Sequence, residues 1–230
     1  MNETEDCCVP ENNPHPAVIE HLERYRFAAR FCEGLEVLDI ACGAGYGSAM
    51  LLKEGNAKTV LGMDYSDKNV AYCREKYRYD RLSFLQGDIC NVSMKRQFDL
   101  IVCFETIEHV SRTLDALTCL HAILRNDGRL ILSTPNRKIT NPYLPPETPS
   151  MDGAHKREFT REELKSVIDR IDFVELGYYG QRLQKCYQNP FFEKYYKRLF
   201  KPGKKTSAVV EAVEQLEPEY MILVLGKRTS

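Results

Sequence analysis

A short apolar run around an acid, Asp39, continues through three alternate glycines, and this feature most constrains what the chain can form. The run covers residues 37–40, and a helical pattern begins after the glycines Gly43, Gly45 and Gly47. Glycine has no Cβ, so such a turn can adopt positive φ and lets a bound molecule approach the backbone. The N–H groups that open the next helix then point at that molecule. By itself, the turn fits a dinucleotide, a nucleoside cofactor, or strand–helix packing without a ligand.

Apolar strand patterns alternate with helical patterns along most of the chain. Residues 98–104 are almost continuously apolar, which is typical of a strand covered on both faces in a parallel sheet. This alternation predicts a doubly wound α/β sheet. The predicted strands are residues 36–40, 59–64, 82–86, 98–104, 129–134, 173–179 and 220–225, and the predicted helices are residues 16–31, 46–54, 68–77, 112–124 and 160–171.

Composition limits the domain organisation and the class of partner. With 230 residues, of which 43% are hydrophobic and 28% charged, the chain fits one soluble domain at residues 15–230 after a flexible acidic tail at residues 1–14. A net charge of −1 does not indicate nucleic acid or an anionic membrane as a general partner. No apolar run approaches the roughly 20 residues of a membrane span. Residues 1–10 lack the pattern of a signal peptide, so a cytoplasmic location is expected.

The cysteines favour the same compartment. All nine are scattered and none forms a CxxC pair. We expect Cys42, Cys103 and Cys119 to be reduced, buried and hydrophobic in role, as in a reducing compartment.

Acidic residues stand at the ends of the first four predicted strands. Asp39 and the glycines end the first, Asp64 the second, Asp88 the third and Glu105 the fourth. In doubly wound sheets the ligand lies outside the carboxyl ends of the strands. Asp64 stands at the spacing at which an acid meets a ribose diol, and Asp88 could accept from an adenine amine. Each acid alone would also fit a helix cap or a solvated turn.

The segment after the fourth strand, FETIEHV at residues 104–110, carries two carboxylates and an imidazole at helical spacing. One helical turn would place Glu105, Glu108 and His109 on one face, where they could hold Mg²⁺, Mn²⁺ or Fe²⁺. His155, in the loop after the fifth strand, should lie over the same sheet edge and is the fourth candidate ligand. Alternatively, His109 is a general base without a metal.

Five ordered motifs in this chain resemble the class I S-adenosylmethionine-dependent methyltransferases. They are DIACGAGYG at 39–47, GMD at 62–64, GD at 87–88, FDLI at 98–101 and LRNDGRL at 124–130. Ala41 stands where many relatives have glycine. A dinucleotide oxidoreductase is disfavoured, because its G-x-G-x-x-G spacing is replaced by G-x-G-x-G.

The resemblance implies a seven-stranded, mostly parallel sheet whose last strand is antiparallel, and S-adenosylmethionine as cofactor. Its methionine part would lie at the glycine turn, its ribose on Asp64 and its adenine near Asp88 and Ile89. Arg24 and Tyr25 would either close over the cofactor or simply pack in a helix. The full set of implied cofactor-binding residues is Arg24, Tyr25, Asp39, Ala41, Gly43, Gly45, Asp64, Tyr65, Asp88, Ile89 and Glu105.

In two branches of that family, a similar E-x-x-E-H segment is followed by a later histidine, as in this chain. They are the ubiquinone-biosynthesis O-methyltransferases and the small-RNA 3′-terminal ribose methyltransferases. The resemblance implies a divalent cation, such as Mg²⁺, on Glu105, Glu108, His109 and His155, with Glu105 and His109 as the catalytic pair. Other methyltransferases carry a similar segment without a metal. The quinone branch's long apolar insertion is replaced here by NPYLPPE at 141–147, and the RNA branch's further signature is not evident.

A basic and aromatic stretch at about residues 181–206 is predicted to be an insertion in the domain. It is a solvated helix packed by its aromatic side chains, a lid for an anionic acceptor, or an interfacial element at a membrane surface.

Taken together, the motifs of the sequence predict methyl transfer to an oxygen of a small molecule or glycan. The alternatives are an RNA 3′-terminal ribose as acceptor and a non-catalytic cofactor-binding protein.

Overall fold

A single eight-stranded sheet, with helices packed on both faces, positions every candidate site residue. The computed structural model describes residues 16–150, 153–183, 208–211 and 216–228. The predicted tail at 1–14 lies outside the described residues, and so does most of the predicted insertion, at 184–207. No described helix has the length and apolar character that a membrane crossing requires.

The sheet has the order β3-β2-β1-β4-β5-β8-β6-β7. The first five strands are parallel neighbours, and β8 runs antiparallel between β5 and β6. The predicted α/β class and the antiparallel last strand are confirmed. The predicted count of seven is one too low, because the two-residue β7 at the edge is too short to give a sequence pattern. The strands are β1 Glu36–Ile40, β2 Thr59–Asp64, β3 Leu82–Gln86, β4 Phe98–Phe104, β5 Leu124–Pro135, β6 Phe173–Gln181, β7 Val210–Glu211 and β8 Tyr220–Lys227.

Helices occupy both faces of this sheet, as a doubly wound topology requires. Side chains of α1, α2 and α3 pack in one apolar cluster and those of α4 and α6 in another on the opposite face. Side-chain caps begin two of the helices: Ser66 accepts from Asn69 N–H, and Thr160 forms a reciprocal capping box with Glu163. The helices are α1 Pro16–Ala29, α2 Tyr46–Lys53, α3 Asp67–Lys76, α4 Thr113–Ile123, α5 Arg137–Thr140 and α6 Arg161–Asp169, with 3₁₀ turns at Ile89–Asn91 and Ile107–His109.

The central strands have the burial that their continuous apolarity predicts. Within β4, residues 100–103 have no exposed surface. The predicted burial of Cys42 and Cys103 is confirmed, and no described cysteine forms a disulfide. Cys119 is only half-buried, because it packs at the edge of the apolar cluster that α4 helps to form, so the prediction of a buried Cys119 is wrong.

One buried carboxylate joins three elements beneath the glycine turn. Asp39 in β1 has no exposed surface and accepts hydrogen bonds from Ser48 Oγ in α2 at 2.6 Å and Tyr25 Oη in α1 at 3.1 Å. The Tyr25 ring also packs on Gly47, where an added Cβ would come within 2.0 Å of Cζ. Glycine at this position therefore lets α1 lie directly against α2.

We expect the charge of Asp39 to make stability fall as pH rises. Burial raises its pKa to about 7, with the nearby Asp64 charge adding to the rise, while the Ser48 and Tyr25 hydrogen bonds oppose it. Between the unfolded value of 3.8 and the folded value, the folded chain holds a proton that the unfolded chain has lost, so unfolding becomes easier with increasing pH. Asp39→Asn keeps the shape and removes this dependence, since both hydroxyls can rotate to suit an amide.

The measurement is urea unfolding of both proteins between pH 5 and pH 8, followed by circular dichroism. Relative to Asp39→Asn, the wild type should lose about 2 kcal/mol of unfolding free energy across this interval. The exposed-site variant Asp67→Asn is the control and should follow the wild type. Parallel pH profiles for wild type and Asp39→Asn would contradict the assignment.

Candidate functional site

The glycine turn after β1 has the backbone conformation that its sequence predicts. Gly43 has φ 53° and Gly45 φ 75°, both in the left-handed region. Ala41 also has a positive φ, 57°, which explains why glycine suits this position in similar sequences. At Gly45 an added Cβ would lie 2.6 Å from Cys73 Sγ, so both the conformation and the close packing need glycine there.

The acids at the ends of β2 and β3 lie beside this turn. Asp64 is buried and accepts from Gly43 N–H at 2.8 Å and Ser66 N–H at 2.9 Å. Its carboxylate is thus fixed against the glycine turn, with the 77% exposed Tyr65 next to it. Asp88 accepts from Cys90 N–H at 2.8 Å and caps the 3₁₀ turn that contains the buried Ile89. Three neighbouring strands therefore deliver the predicted cofactor residues to one sheet edge.

Helix α1 covers this edge with buried side chains. Arg24 is 2% exposed, donates from Nη1 to Gln181 Oε1 at 2.6 Å and lies over the Tyr220 ring, 4.9 Å from its centroid. Its Nε is buried without a hydrogen-bond partner. Tyr25 is held on Asp39, as described above. Both residues are packed against the sheet, and their contact with a cofactor stays a prediction.

Glu105 turns the chain out of β4 through a left-handed residue. Its φ is 47°, which is uncommon for a side chain with a Cβ. Ser133, at the neighbouring end of β5, donates from Oγ to Glu105 Oε1 at 2.6 Å, and its carbonyl accepts from Glu105 N–H at 3.2 Å. This pair of contacts fixes Glu105 at the strand end and starts the 3₁₀ turn that follows.

Three of the four predicted metal ligands come together beyond that turn. Among the described residues, Glu108, His109 and His155 each place a ligand atom within 4.8 Å of the other two. Glu105 is not in this group. The sequence spacing assumed a regular helix, whereas the left-handed Glu105 followed by a 3₁₀ turn gives Glu105 a direction of its own.

Glu108 is the buried member of the group. It has no exposed surface, and its Oε2 accepts from Thr134 Oγ1 at 2.8 Å. Its Oε1 is buried without a hydrogen-bond partner. Burial raises the pKa of Glu108 well above its usual value, and the nearby Glu105 charge raises it further. A buried carboxylate oxygen without a partner is costly unless something binds it.

The two histidines reach this carboxylate from different parts of the chain. Their ring centroids lie 4.9 Å apart. His109 Nδ1 lies 2.9 Å from the Ala154 carbonyl oxygen, and His155 Nδ1 lies 2.6 Å from Glu158 Oε1. Both of these partners are acceptors, so each neutral ring carries its proton on Nδ1 and has Nε2 as its acceptor nitrogen.

Backbone hydrogen bonds dock the His155 loop on the 3₁₀ turn. Lys156 N–H and Arg157 N–H both donate to the Glu108 carbonyl oxygen, at 2.7 and 3.1 Å. The loop therefore depends on the same residue whose side chain its histidine approaches.

Sequence reasoning missed the polar residues that support the group. Ser133 and Thr134 were predicted only as the end of an apolar strand, and both are fully buried. Two adjacent hydroxyl residues at the end of such a strand were a usable signal in the sequence. Glu158 was also missed, because it stands in a loop with no periodicity. Burial by itself would raise the pKa of Glu158, but hydrogen bonds from His155, Asn141 and Thr140 outweigh burial and lower it.

Comparison with known proteins identifies the fold and the motifs. A family model described as "Methyltransferase domain" matches residues 38–132. A Mycolicibacterium smegmatis protein named a probable S-adenosylmethionine-dependent methyltransferase is 31% identical over 150 residues, which is 65% of this chain and 56% of that one. A Mycobacterium tuberculosis protein with the same kind of name is 30% identical over 71% of this chain and 59% of its own. The chain thus spans less than two thirds of the length of these relatives.

A ubiquinone biosynthesis O-methyltransferase of Vibrio parahaemolyticus is 26% identical over 70% of this chain and 71% of its own. Among solved structures, an S-adenosylmethionine-dependent methyltransferase from Mesorhizobium loti shares the fold, with a TM-score of 0.62 and 16% identity over 90% of this chain and 99% of that one. The [4+2]-cyclase SpnF is equally similar, with a TM-score of 0.62 and 16% identity over 90% of this chain and 81% of its own.

Because a cyclase shares this fold, the fold by itself does not define the reaction. The matched motifs, the named relatives and the sheet order nevertheless all point to methyltransferases. Together these findings support the assignment of the chain to the class I S-adenosylmethionine-dependent methyltransferase family.

Proposed function

We propose that this protein transfers the methyl group of S-adenosylmethionine to an oxygen of a small molecule or glycan, with a divalent cation held by Glu108, His109 and His155. The observation that carries the proposal is the convergence of these three side chains, one of which, Glu108, has a buried oxygen without a hydrogen-bond partner among the described residues. The relatives named as ubiquinone biosynthesis O-methyltransferases support oxygen as the accepting atom.

The donor set fits a divalent cation. One carboxylate oxygen and two imidazole nitrogens form a mixed site of the kind used by Mn²⁺, Fe²⁺ and Mg²⁺. Hydrogen bonds from the other ring nitrogen, as His109 and His155 make here, are the usual support of metal-bound histidines. The charge of Glu105 raises the pKa of Glu108, and Glu105 is the candidate for a fourth ligand.

The proposed chemistry is an in-line displacement at the methyl group. The cofactor supplies the electrophile, so the protein must orient the acceptor hydroxyl and help its proton leave. A divalent cation would lower the pKa of that hydroxyl and fix its oxygen. His109 has two roles open to it, ligand or general base, because its Nε2 is the acceptor nitrogen in either case.

On the cofactor side, the left-handed Gly43 and Gly45 expose bare backbone to a ligand, and Asp64 stands next to them. The Asp64 carboxylate accepts from two backbone N–H groups and from Asn69 Nδ2, and since a carboxylate has about four acceptor positions, it keeps one for a ribose hydroxyl. We therefore assign the ribose contact to Asp64 and the adenine contact to Asp88 and Ile89. Tyr65, which is exposed beside Asp64, offers a ring surface for the adenine.

Binding of S-adenosylhomocysteine tests the cofactor assignment. Asp64→Asn removes the charge that would hold the ribose, so affinity should fall about 10- to 100-fold, the usual effect of losing a hydrogen bond to a charged group. Isothermal titration measures it. The control is Asp67→Asn, the same change at an exposed site three residues later, which should bind as the wild type does. Equal affinity of Asp64→Asn and wild type, or no binding by wild type, would refute the assignment.

Removal of the metal or of a ligand tests the cation. We expect wild-type protein to bind Mn²⁺ in a paramagnetic-resonance titration, and His155→Ala to lose at least tenfold in affinity. Methyl transfer should stop in EDTA and return with Mn²⁺ or Mg²⁺. His121→Gln is the control, since this histidine lies against Phe173 and outside the group. Transfer that survives both EDTA and His155→Ala would exclude the metal and leave His109 as a lone base.

The acceptor is tested by tritium transfer from labelled cofactor to a panel of catechols, quinols, glycans and RNA. We expect transfer to a hydroxyl of a small molecule or glycan, because two imidazole nitrogens and a carboxylate can orient one hydroxyl group. Transfer to RNA that disappears after periodate cleavage of the terminal diol, with salt-sensitive binding, would instead favour the RNA 3′-terminal acceptor. Cofactor binding without transfer to any acceptor would favour a non-catalytic role.

A further inference from the structure

A second buried carboxylate lies directly behind the histidine that the loop contributes. Glu158 is 2% exposed and lies three residues after His155, just before α6. Nothing in the proposed reaction uses it, and it does not belong to the group formed by Glu108, His109 and His155. Its burial therefore needs another explanation.

Three donors converge on this carboxylate. Glu158 Oε1 lies 2.6 Å from His155 Nδ1, and Oε2 accepts from Asn141 Nδ2 at 2.9 Å and from the Thr140 hydroxyl. Both oxygens are engaged. A carboxylate facing Nδ1 accepts the ring proton there, which selects the tautomer whose Nε2 is the acceptor.

The two donors to Oε2 stand on a segment that is itself anchored. Thr140 ends α5 and Asn141 follows it. The buried Arg137 at the start of α5 donates to the Leu144 carbonyl oxygen at 2.6 Å and pairs with Glu163 in α6. Contacts other than the one with His155 therefore hold Glu158 in place.

We propose that Glu158 is a positioning residue that holds the His155 ring in its Nδ1–H form, which leaves Nε2 as the acceptor nitrogen. This rests on the proposed function for the use of Nε2, but the tautomer is a property of the chain alone. His109 uses the Ala154 carbonyl for the same purpose, so both rings have Nε2 as the acceptor nitrogen. The backbone acceptor of His109 cannot be substituted, whereas Glu158 can.

The Glu158→Gln variant tests this role. An amide has one acceptor oxygen, and its NH₂ group can donate to Nδ1, which would favour the opposite tautomer. Long-range ¹H–¹⁵N spectra of metal-free protein, at a pH where the ring is neutral, report which nitrogen carries the proton. We expect the Nδ1–H form of His155 in wild type, and a mixture or the Nε2–H form in Glu158→Gln. Mn²⁺ affinity should fall 10- to 100-fold in the variant.

Glu162→Gln is the matched control, because it makes the same change at an exposed acid in α6 that pairs with Lys138 and takes no part in the Glu158 contacts. It should keep the wild-type tautomer and Mn²⁺ affinity. The Nε2–H form in wild-type protein, or an unchanged Nδ1–H signal in folded Glu158→Gln, would overturn the proposal, and the wild-type result stands even where the variant does not fold. Failure of wild type to bind Mn²⁺ would refute the proposed cation while leaving the tautomer result to decide the role of Glu158.

Discussion

The buried carboxylate of Asp39 is the contact on which the cofactor edge of this fold depends. It has no exposed surface, and its two oxygens accept from hydroxyl groups of α1 and α2. Strand β1, the glycine turn and the two helices are therefore held in one arrangement by a group that is costly to bury in charged form. The same arrangement requires Gly47, since any side chain there would meet the Tyr25 ring. The glycine turn is thus held in place because the residues beneath it are packed and hydrogen-bonded.

The acceptor side of the site is built on a different principle. Here the backbone carbonyl of Glu108 receives the loop that carries His155, while its side chain is the buried centre of the group. Hydroxyls from the end of β5 support both acids: Ser133 donates to Glu105 and Thr134 to Glu108. Two adjacent residues at the end of β5 thus support Glu105 and Glu108, which both follow the end of β4. Each histidine donates from Nδ1 to an acceptor, the Ala154 carbonyl for His109 and the Glu158 carboxylate for His155. These hydrogen bonds orient both rings without a ligand.

Predictions from the sequence succeeded where the pattern is local or periodic. The alternation of strands and helices and the positive φ of Gly43 and Gly45 follow from side-chain size and hydrophobic periodicity within a few residues. They were wrong where the pattern is too short or the direction of a side chain depends on neighbours. The two-residue β7 gives no signal, and Cys119 packs at the edge of an apolar cluster, on a helix whose orientation the sequence left undetermined.

By itself, the sequence determined the fold class, the family motifs and the strand ends at which the site residues stand. The rules of parallel sheets bring those ends to one edge whatever the side chains do. Only the tertiary structure decided which side chains meet. Helical spacing grouped Glu105 with Glu108 and His109, but a left-handed residue and a 3₁₀ turn separated it. The loop from which the sequence predicted only His155 also supplied the acceptor for His109, 45 residues away. Contacts between distant segments depend on loop docking and buried hydrogen bonds, which leave no periodic pattern in the chain.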